Sequence, residues 1–161
     1  MIIDGEFTFA APRETIWRLL RDPGVLVKAM PGATRLDHVG DGRYEGVLRI
    51  GVGPVTAAEW ALSVVLGDEV EPESYTMQVD SKGPLGFTRG KAHVDLEEEE
   101  EGSTTRMCYR ADLQVGGRVA GVGQRLIDQV AKLMTRQGLE ALNREVVARL
   151  EADAVPGEAS A

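Results

Sequence analysis

The chain has 161 residues, of which 43% are hydrophobic and 27% charged, a composition typical of one soluble globular domain rather than of a disordered or membrane-spanning chain. Eighteen basic and 26 acidic residues give a net charge of -8, which argues against general attraction to nucleic-acid phosphates. The single cysteine, Cys108, excludes an internal disulfide. The N-terminus has neither the basic segment nor the long apolar run of a signal peptide, which indicates the cytoplasm.

The first predicted elements are a strand and two short helices. Apolar and polar residues alternate from Ile3 to Phe9, the period of a half-buried strand. The next segment, APRETIWRLLRDP, predicts a helix in which Pro12 takes the first helical position. A second helix of about two turns is predicted within PGVLVKAMPG, between its proline and glycine residues.

Six strands are predicted from Thr34 to Val115, separated by turn signals that include GDG, GVGPV and SKGPLG. Their short connections favour an antiparallel meander, because parallel neighbours need long crossovers. A long helical segment follows from about Arg118 to Leu150, and EADAVPGEASA then reads as a flexible tail. We therefore predict one domain over residues 1–150 and a tail over residues 151–161.

A wide antiparallel sheet that is apolar on one face needs a cover, and the long helix is the available one. The predicted fold class is α+β, with a seven-stranded curved antiparallel sheet wrapped around the long C-terminal helix. Small residues on the inward face, such as Gly46, Ala92 and Ala111, indicate a cavity between the two layers. A smaller, well-packed core is the alternative.

The stretch QVGGRVAGVGQRLID has four glycines in eight residues, yet it fits no phosphate-binding motif. A phosphate loop needs a lysine and a hydroxyl after its last glycine, and both are missing. A helical wheel instead predicts that Gly123 lies in the apolar arc of the long helix and faces the cavity. Gly116 and Gly117 are expected to provide a positive φ where strand gives way to helix.

The same wheel places four basic residues together on the opposite side of the helix. We name these residues the basic stripe: Arg118, Arg125, Lys132 and Arg136. On an acidic protein such a stripe suits docking to an acidic partner or an anionic membrane surface, and an ordinary solvated helix face is the alternative.

Other candidate chemistry is sparse. His38 and His93 are far apart and no residues have metal-ligand spacing, so no metal site is predicted. The run from Glu97 to Glu101 reads as a solvated hairpin tip. Inward tyrosines (Tyr44, Tyr75, Tyr109) and Glu59 could act as acids or bases, but ring packing with one satisfied hydroxyl is the stronger explanation of buried tyrosines. No catalytic residue is assigned.

Four stretches together resemble the carbon monoxide dehydrogenase G subunit (CoxG), a family within the START-like (SRPBCC) superfamily: GEFTFAAPRETIWRLLRDP, MPGATRL, YEGVLRIGVGPVTA and ADLQVGGRVAGVGQRLID. The resemblance covers about residues 1–150 and implies the helix-grip fold. It also implies a non-catalytic accessory protein that works beside a molybdenum-containing carbon monoxide dehydrogenase or related hydroxylase. Such a protein would bind a quinone or lipid, with no covalent cofactor, and contact the inner face of the cell membrane peripherally.

Some members of this family continue into a longer C-terminal segment proposed to contact membrane or partner, whereas this sequence stops after VPGEASA. The basic stripe is therefore our candidate for any partner or membrane contact. Two other hypotheses are a cyclase-like or hydrolytic enzyme of the same superfamily and a pure assembly or docking factor with a filled core.

For the carrier hypothesis, we expect the ligand to contact eleven residues that the strand and helix periodicities turn inward. The predicted cavity residues are Met30, Leu48, Ile50, Trp60, Met107, Tyr109, Val119, Gly123, Ile127, Val130 and Met134.

Overall fold

A computed structural model describes residues 1–52 and 55–153, except for the side chains of residues 52, 55 and 56. The α helices are α1 (Arg13–Leu19), α2 (Pro23–Ala29) and α3 (Gln124–Asp153). The strands are β1 (Ile2–Phe9), β2 (Ala33–Gly40), β3 (Arg43–Val52), β4 (Val55–Val70), β5 (Ser74–Gly83), β6 (Gly86–Glu99) and β7 (Thr104–Gly116). Part of the predicted GVGPV turn, residues 53–54, and residues 154–161 of the predicted tail lie outside the described residues.

The strands form one antiparallel sheet in the order β1-β7-β6-β5-β4-β3-β2. From β2 to β7 the sheet is a meander, and the first strand then pairs with the last, for example Gly5 with Tyr109. The predicted fold, with seven antiparallel strands, two short helices after the first strand and a long C-terminal helix, is confirmed. It is the helix-grip arrangement that the resemblance implied.

The two short helices follow from local capping chemistry. The Asp22 carboxylate accepts a hydrogen bond of 2.8 Å from the Gly24 amide, and Pro23 occupies the first turn of α2. Pro12 is the N-cap of α1, one position before the predicted one. Both helices bury apolar residues, including Trp17 and Val25, and so close one end of the sheet.

Most of the packed core lies at this end of the molecule. The largest buried cluster joins α1, α2 and the C-terminal half of α3 to the ends of the central strands, with Phe9, Ile16 and Val146 almost fully buried. Thr105, which is fully buried on β7, donates a hydrogen bond of 2.7 Å to the Ala11 carbonyl and ties the sheet to the start of α1. Along α3 the buried residues are Ile127, Leu142 and Val146, and a space lies beneath the helix at residues 134–142.

The glycine-rich stretch differs from its prediction in two respects. Gly117 has a φ of 85°, as predicted, but Gly116 has no positive φ: it ends β7, where an added Cβ would meet the Phe87 ring. Gly123 has a φ of 100°, however, and ends a short 3-10 turn (Arg118–Val122). Because this left-handed residue interrupts the helix, α3 begins only at Gln124, and a single helical wheel does not include Arg118, Val119 or Gly123.

Candidate ligand cavity

A cavity of about 420 Å³ lies between the concave face of the sheet and α3. Its volume falls within the range of small-molecule sites, roughly 300 to 1,000 Å³. The sheet contributes mainly aliphatic side chains, namely Leu36, Leu62, Val64, Leu66, Met77, Val79, Ala92, Val94, Ala111 and Leu113. The helices contribute Leu20, Leu26, Ala29, Met134, Leu139 and Leu142. The wall is therefore suited to burying an apolar molecule.

The structure brings four of the eleven predicted cavity residues together on this wall, namely Met30, Met107, Tyr109 and Met134. It places the other seven elsewhere. Leu48 packs beside the small cluster of Leu36, Tyr44 and Leu62. The remaining six, Ile50, Trp60, Val119, Gly123, Ile127 and Val130, are also absent from the cavity wall among the described residues.

Trp60 lies on the inward face of the sheet that strand periodicity predicted, yet it does not line the cavity. Its ring covers Gly83, where an added Cβ would lie 3.1 Å away, and its indole N–H donates a hydrogen bond of 3.3 Å to the Ile50 carbonyl. Trp60 points inward, as predicted, and fills that end of the sheet instead of leaving room for a guest. Side-chain packing between strands decides this outcome.

The prediction that Gly123 faces the cavity is wrong. Gly123 is exposed, and an added Cβ would meet no atom within 4 Å. The glycine that does line the cavity is Gly138, where an added Cβ would lie 3.3 Å from the Ala29 carbonyl oxygen and 3.6 Å from Pro31 Cδ. Gly138 therefore lets α3 approach the end of α2 closely. Its signal in the sequence was an isolated glycine inside an otherwise helix-favouring segment.

A cluster of aromatic and cationic groups borders the closed end of the cavity. The rings of Trp17 and Tyr75 meet edge to face, with 5.5 Å between their centroids. The Arg21 guanidinium lies 3.4 Å from the Trp17 centroid and 4.5 Å from the Tyr75 centroid. The same guanidinium donates two hydrogen bonds to Glu69 and one to the Trp17 carbonyl. These contacts hold the Tyr75 ring in one orientation.

The polar residues of the cavity wall are three tyrosines, Thr135, whose hydroxyl donates to the Ala131 carbonyl, and Arg110, which pairs with Asp4 at 3.7 Å. The Tyr44 hydroxyl donates a hydrogen bond of 2.6 Å to the Arg21 carbonyl, whereas the Tyr75 hydroxyl has no hydrogen-bond partner among residues 1–52 and 55–153. Burial raises the pKa of Tyr44, Tyr75 and Tyr109 above the ordinary value of 10.0, so all three hydroxyls stay neutral at physiological pH. Within the described chain, the wall contains no carboxylate or imidazole, and Glu59 is exposed.

A groove opens beside the cavity, between β1 and α3. This β1–α3 groove has a volume of about 260 Å³. Four residues line both the groove and the cavity, namely Ile3, Tyr109, Thr135 and Leu139. The rest of the groove lining is Phe7 and a charged rim of Asp4, Glu6, Lys132, Arg136 and Glu140. The cavity and the charged groove therefore lie next to each other, with these four residues lining both.

All four residues of the basic stripe are exposed, and none of them forms an ion pair with another described residue. Arg125, Lys132 and Arg136 lie on α3, while Arg118 belongs to the preceding 3-10 turn. Lys132 and Arg136 also line the β1–α3 groove. Two of the four residues of the basic stripe therefore border the groove beside the cavity.

Membrane-spanning helices and metal sites are both missing from the described residues. No helix there combines the length and the apolar character needed to cross a bilayer. No group of three or more His, Cys, Asp and Glu side chains in that part of the chain could hold a metal ion.

The geometry agrees with the similarity of the chain to known proteins. A family model for the carbon monoxide dehydrogenase G subunit (CoxG) matches residues 5–147. A solved structure of a conserved protein from Geobacillus kaustophilus is 27% identical, with a TM-score of 0.84, over 92% of this chain and 96% of that one. No curated protein matches the sequence at a significant level.

Two more distant structures share the fold. A START superfamily protein from Mycobacterium smegmatis has a TM-score of 0.68 at 13% identity, over 91% of this chain and 97% of that one. The Zhui aromatase/cyclase from Streptomyces sp. R1128 has a TM-score of 0.69 at 15% identity, over 93% of this chain and 95% of that one. At such identities the likeness shows the fold alone.

Proposed function

The chain belongs to the CoxG family of carbon monoxide dehydrogenase, and from this premise we propose that it is a non-catalytic carrier of an apolar ligand, a quinone or a lipid. In this proposal it serves a molybdenum-containing carbon monoxide dehydrogenase or a related hydroxylase. It would deliver an electron acceptor to that enzyme or assist its recruitment to the membrane.

The observation that carries the proposal is the apolar cavity of about 420 Å³. An apolar molecule gains roughly 25 cal/mol for each Å² of its surface that leaves water. The aliphatic wall therefore supports binding without any chemical step. A filled core, as a pure assembly factor would have, does not fit a space of this size.

The enzyme alternative has less support. General acid–base catalysis needs a proton donor or acceptor positioned at the reacting atoms, usually with a pKa near neutrality. The cavity wall supplies tyrosines whose pKa is raised further above neutrality by burial. Glu59, the carboxylate that the sequence offered as an acid or base, is exposed and does not line the cavity.

Docking would occur through the basic stripe. Its exposed cations match the negative charge of an anionic lipid surface, which attracts basic residues by about 1 kcal/mol each. Because Lys132 and Arg136 also border the β1–α3 groove, docking on this side would bring the groove beside the cavity close to the lipid. An apolar ligand would then pass between membrane and protein with little exposure to water.

The cavity proposal is tested by comparing two neighbouring positions of α3. Met134 lines the cavity, whereas Leu133 is 43% exposed. Isothermal titration calorimetry with menadione, a small quinone, should give one site in the wild type and in Leu133→Trp. Met134→Trp should bind at least about tenfold more weakly, because the indole fills the cavity. Absence of binding in the wild type, with no apolar molecule found by mass spectrometry of extracts, would rule the carrier out.

The partner proposal needs a separate measurement. Purified molybdenum-containing carbon monoxide dehydrogenase would be supplied with carbon monoxide, and quinone reduction followed with and without the quinone-loaded protein. We expect faster reduction when the loaded protein is present. An equal rate with free quinone at the same concentration would contradict delivery.

A further inference from the structure

Tyr75 is one of two tyrosines at the closed end of the cavity, and Tyr44 is the other. Tyr75 is only 3% exposed and lines the cavity wall. Among the described residues its hydroxyl makes no hydrogen bond, in contrast to the Tyr44 hydroxyl nearby. The Tyr75 hydroxyl is not among the fully enclosed polar atoms that lack a partner, so it opens onto the cavity, where a ligand or water can accept its hydrogen bond.

The hydroxyl is also fixed in place. The Tyr75 ring is held by the edge-to-face contact with Trp17 and by the Arg21 guanidinium 4.5 Å from its centroid. A donor whose ring is already immobilised loses little entropy when it binds an acceptor. Burial also raises the pKa of the Tyr75 hydroxyl, so it remains a proton donor over the physiological range.

We propose that the Tyr75 hydroxyl is the head-group site of the cavity and donates a hydrogen bond to a neutral acceptor oxygen of the ligand, such as a quinone carbonyl. The inference rests on the proposed carrier function and specifies the orientation of the ligand. The ring with the acceptor oxygen lies at the closed end, and the apolar remainder extends towards the β1–α3 groove.

The charges around Tyr75 favour a neutral acceptor over a carboxylate. Arg21 is the nearest cation, but its guanidinium already serves Glu69, at 2.8 and 3.0 Å, and the Trp17 carbonyl. A carboxylate at this point would receive one neutral hydrogen bond and no free positive charge, which does not repay the desolvation of an ion. The site therefore selects carbonyl-bearing apolar molecules over fatty acids.

The head-group site can be tested with two probes of nearly the same shape, menadione and methylnaphthalene. Menadione has two carbonyl oxygens that methylnaphthalene lacks. Tyr75→Phe keeps the ring and removes only the hydroxyl, so folding should be unaffected, as checked by thermal unfolding. We expect its affinity for menadione to fall about tenfold, while its affinity for methylnaphthalene stays within about twofold of the wild type. Thr76→Val is the control, because it removes a hydroxyl from the neighbouring residue on the opposite face of β5, outside the cavity wall, and it should leave both affinities unchanged.

The outcomes separate the two proposals. If the wild type binds neither probe, the carrier function and the head-group site both fail. If the wild type binds menadione and Tyr75→Phe binds it equally well, the carrier function stands and the head-group site is overturned. An equal loss of both probes in Tyr75→Phe would also overturn it, because the hydroxyl would then act through packing alone.

Discussion

Tyr75 and Tyr109 lie in one cross-strand row on the concave face of the sheet, with Val94 of β6 between them. Adjacent strands are separated by about 4.8 Å, so the two tyrosines are about 10 Å apart across the sheet. Tyr75 belongs to the closed end of the cavity, and Tyr109 also lines the β1–α3 groove. One row of the sheet thus joins the closed end of the cavity to the side that borders the β1–α3 groove.

The tyrosines provide a prediction about alkaline pH. Burial raises the pKa of all three above 10.0, so the folded state favours the neutral phenols more than the unfolded state does. Their contribution to stability is complete below pH 10 and is lost as the pH rises through the folded-state values. Near-ultraviolet absorbance should show little tyrosinate at pH 10, and ionisation should accompany unfolding. Half-ionisation at pH 10 with native circular dichroism would contradict this.

Two glycines of the C-terminal region should respond differently to the same substitution. Gly138→Leu places a side chain against Ala29 and Pro31 inside the cavity, and such overpacking costs about 1–3 kcal/mol of unfolding free energy. It should also weaken menadione binding. Gly123→Leu should cost about 1–2 kcal/mol through its φ of 100° alone and leave binding unchanged. Urea unfolding and calorimetry measure both quantities, and reduced binding in Gly123→Leu would contradict the structure.

The β1–α3 groove can be tested as the route of the ligand. Glu140 lines the groove but not the cavity, and Arg144, one turn further along α3, lines neither. Glu140→Trp should slow association and dissociation of menadione by the same factor, on the order of tenfold, and leave its affinity unchanged. Stopped-flow fluorescence would measure both rates. Arg144→Trp is the matched control, and wild-type rates in Glu140→Trp would indicate another route.

The basic stripe can be tested by removing charge without changing shape greatly. Glutamine at Arg125, Lys132 and Arg136 should lower partition onto phosphatidylserine vesicles on the order of 100-fold, at about 1 kcal/mol for each lost cation. The matched control replaces Arg43, Arg49 and Lys91, which are exposed on the sheet, with glutamine and so has the same net charge as the stripe variant. Cosedimentation at low salt is the measurement. Equal losses in the two triple variants would show that net charge, not this surface, controls binding.

Local patterns in the sequence predicted the elements well. The alternation from Ile3 to Phe9, the capping residues around Asp22 and Pro23, and the turn signals between the strands act over a few residues, so they can be read without the fold. The sequence also indicated which faces were apolar, and Met30, Met107, Tyr109 and Met134 do line the cavity. The resemblance added the family, which the match over residues 5–147 confirms.

Only some of the inward-facing residues line the cavity, and contacts between residues distant in sequence decide which ones do. Trp60 and Met107 are both inward and apolar, but Trp60 covers Gly83 on a neighbouring strand, whereas Met107 borders the gap beneath α3. The role of Gly123 depended on where α3 begins, and its positive φ placed that start at Gln124. Periodicity assigns a residue to a face of its own element, while a cavity is the space left after several elements pack together. The sequence thus supported the fold and its apolar face, and packing between α3, α2 and the sheet selected Tyr75, Gly138 and the β1–α3 groove.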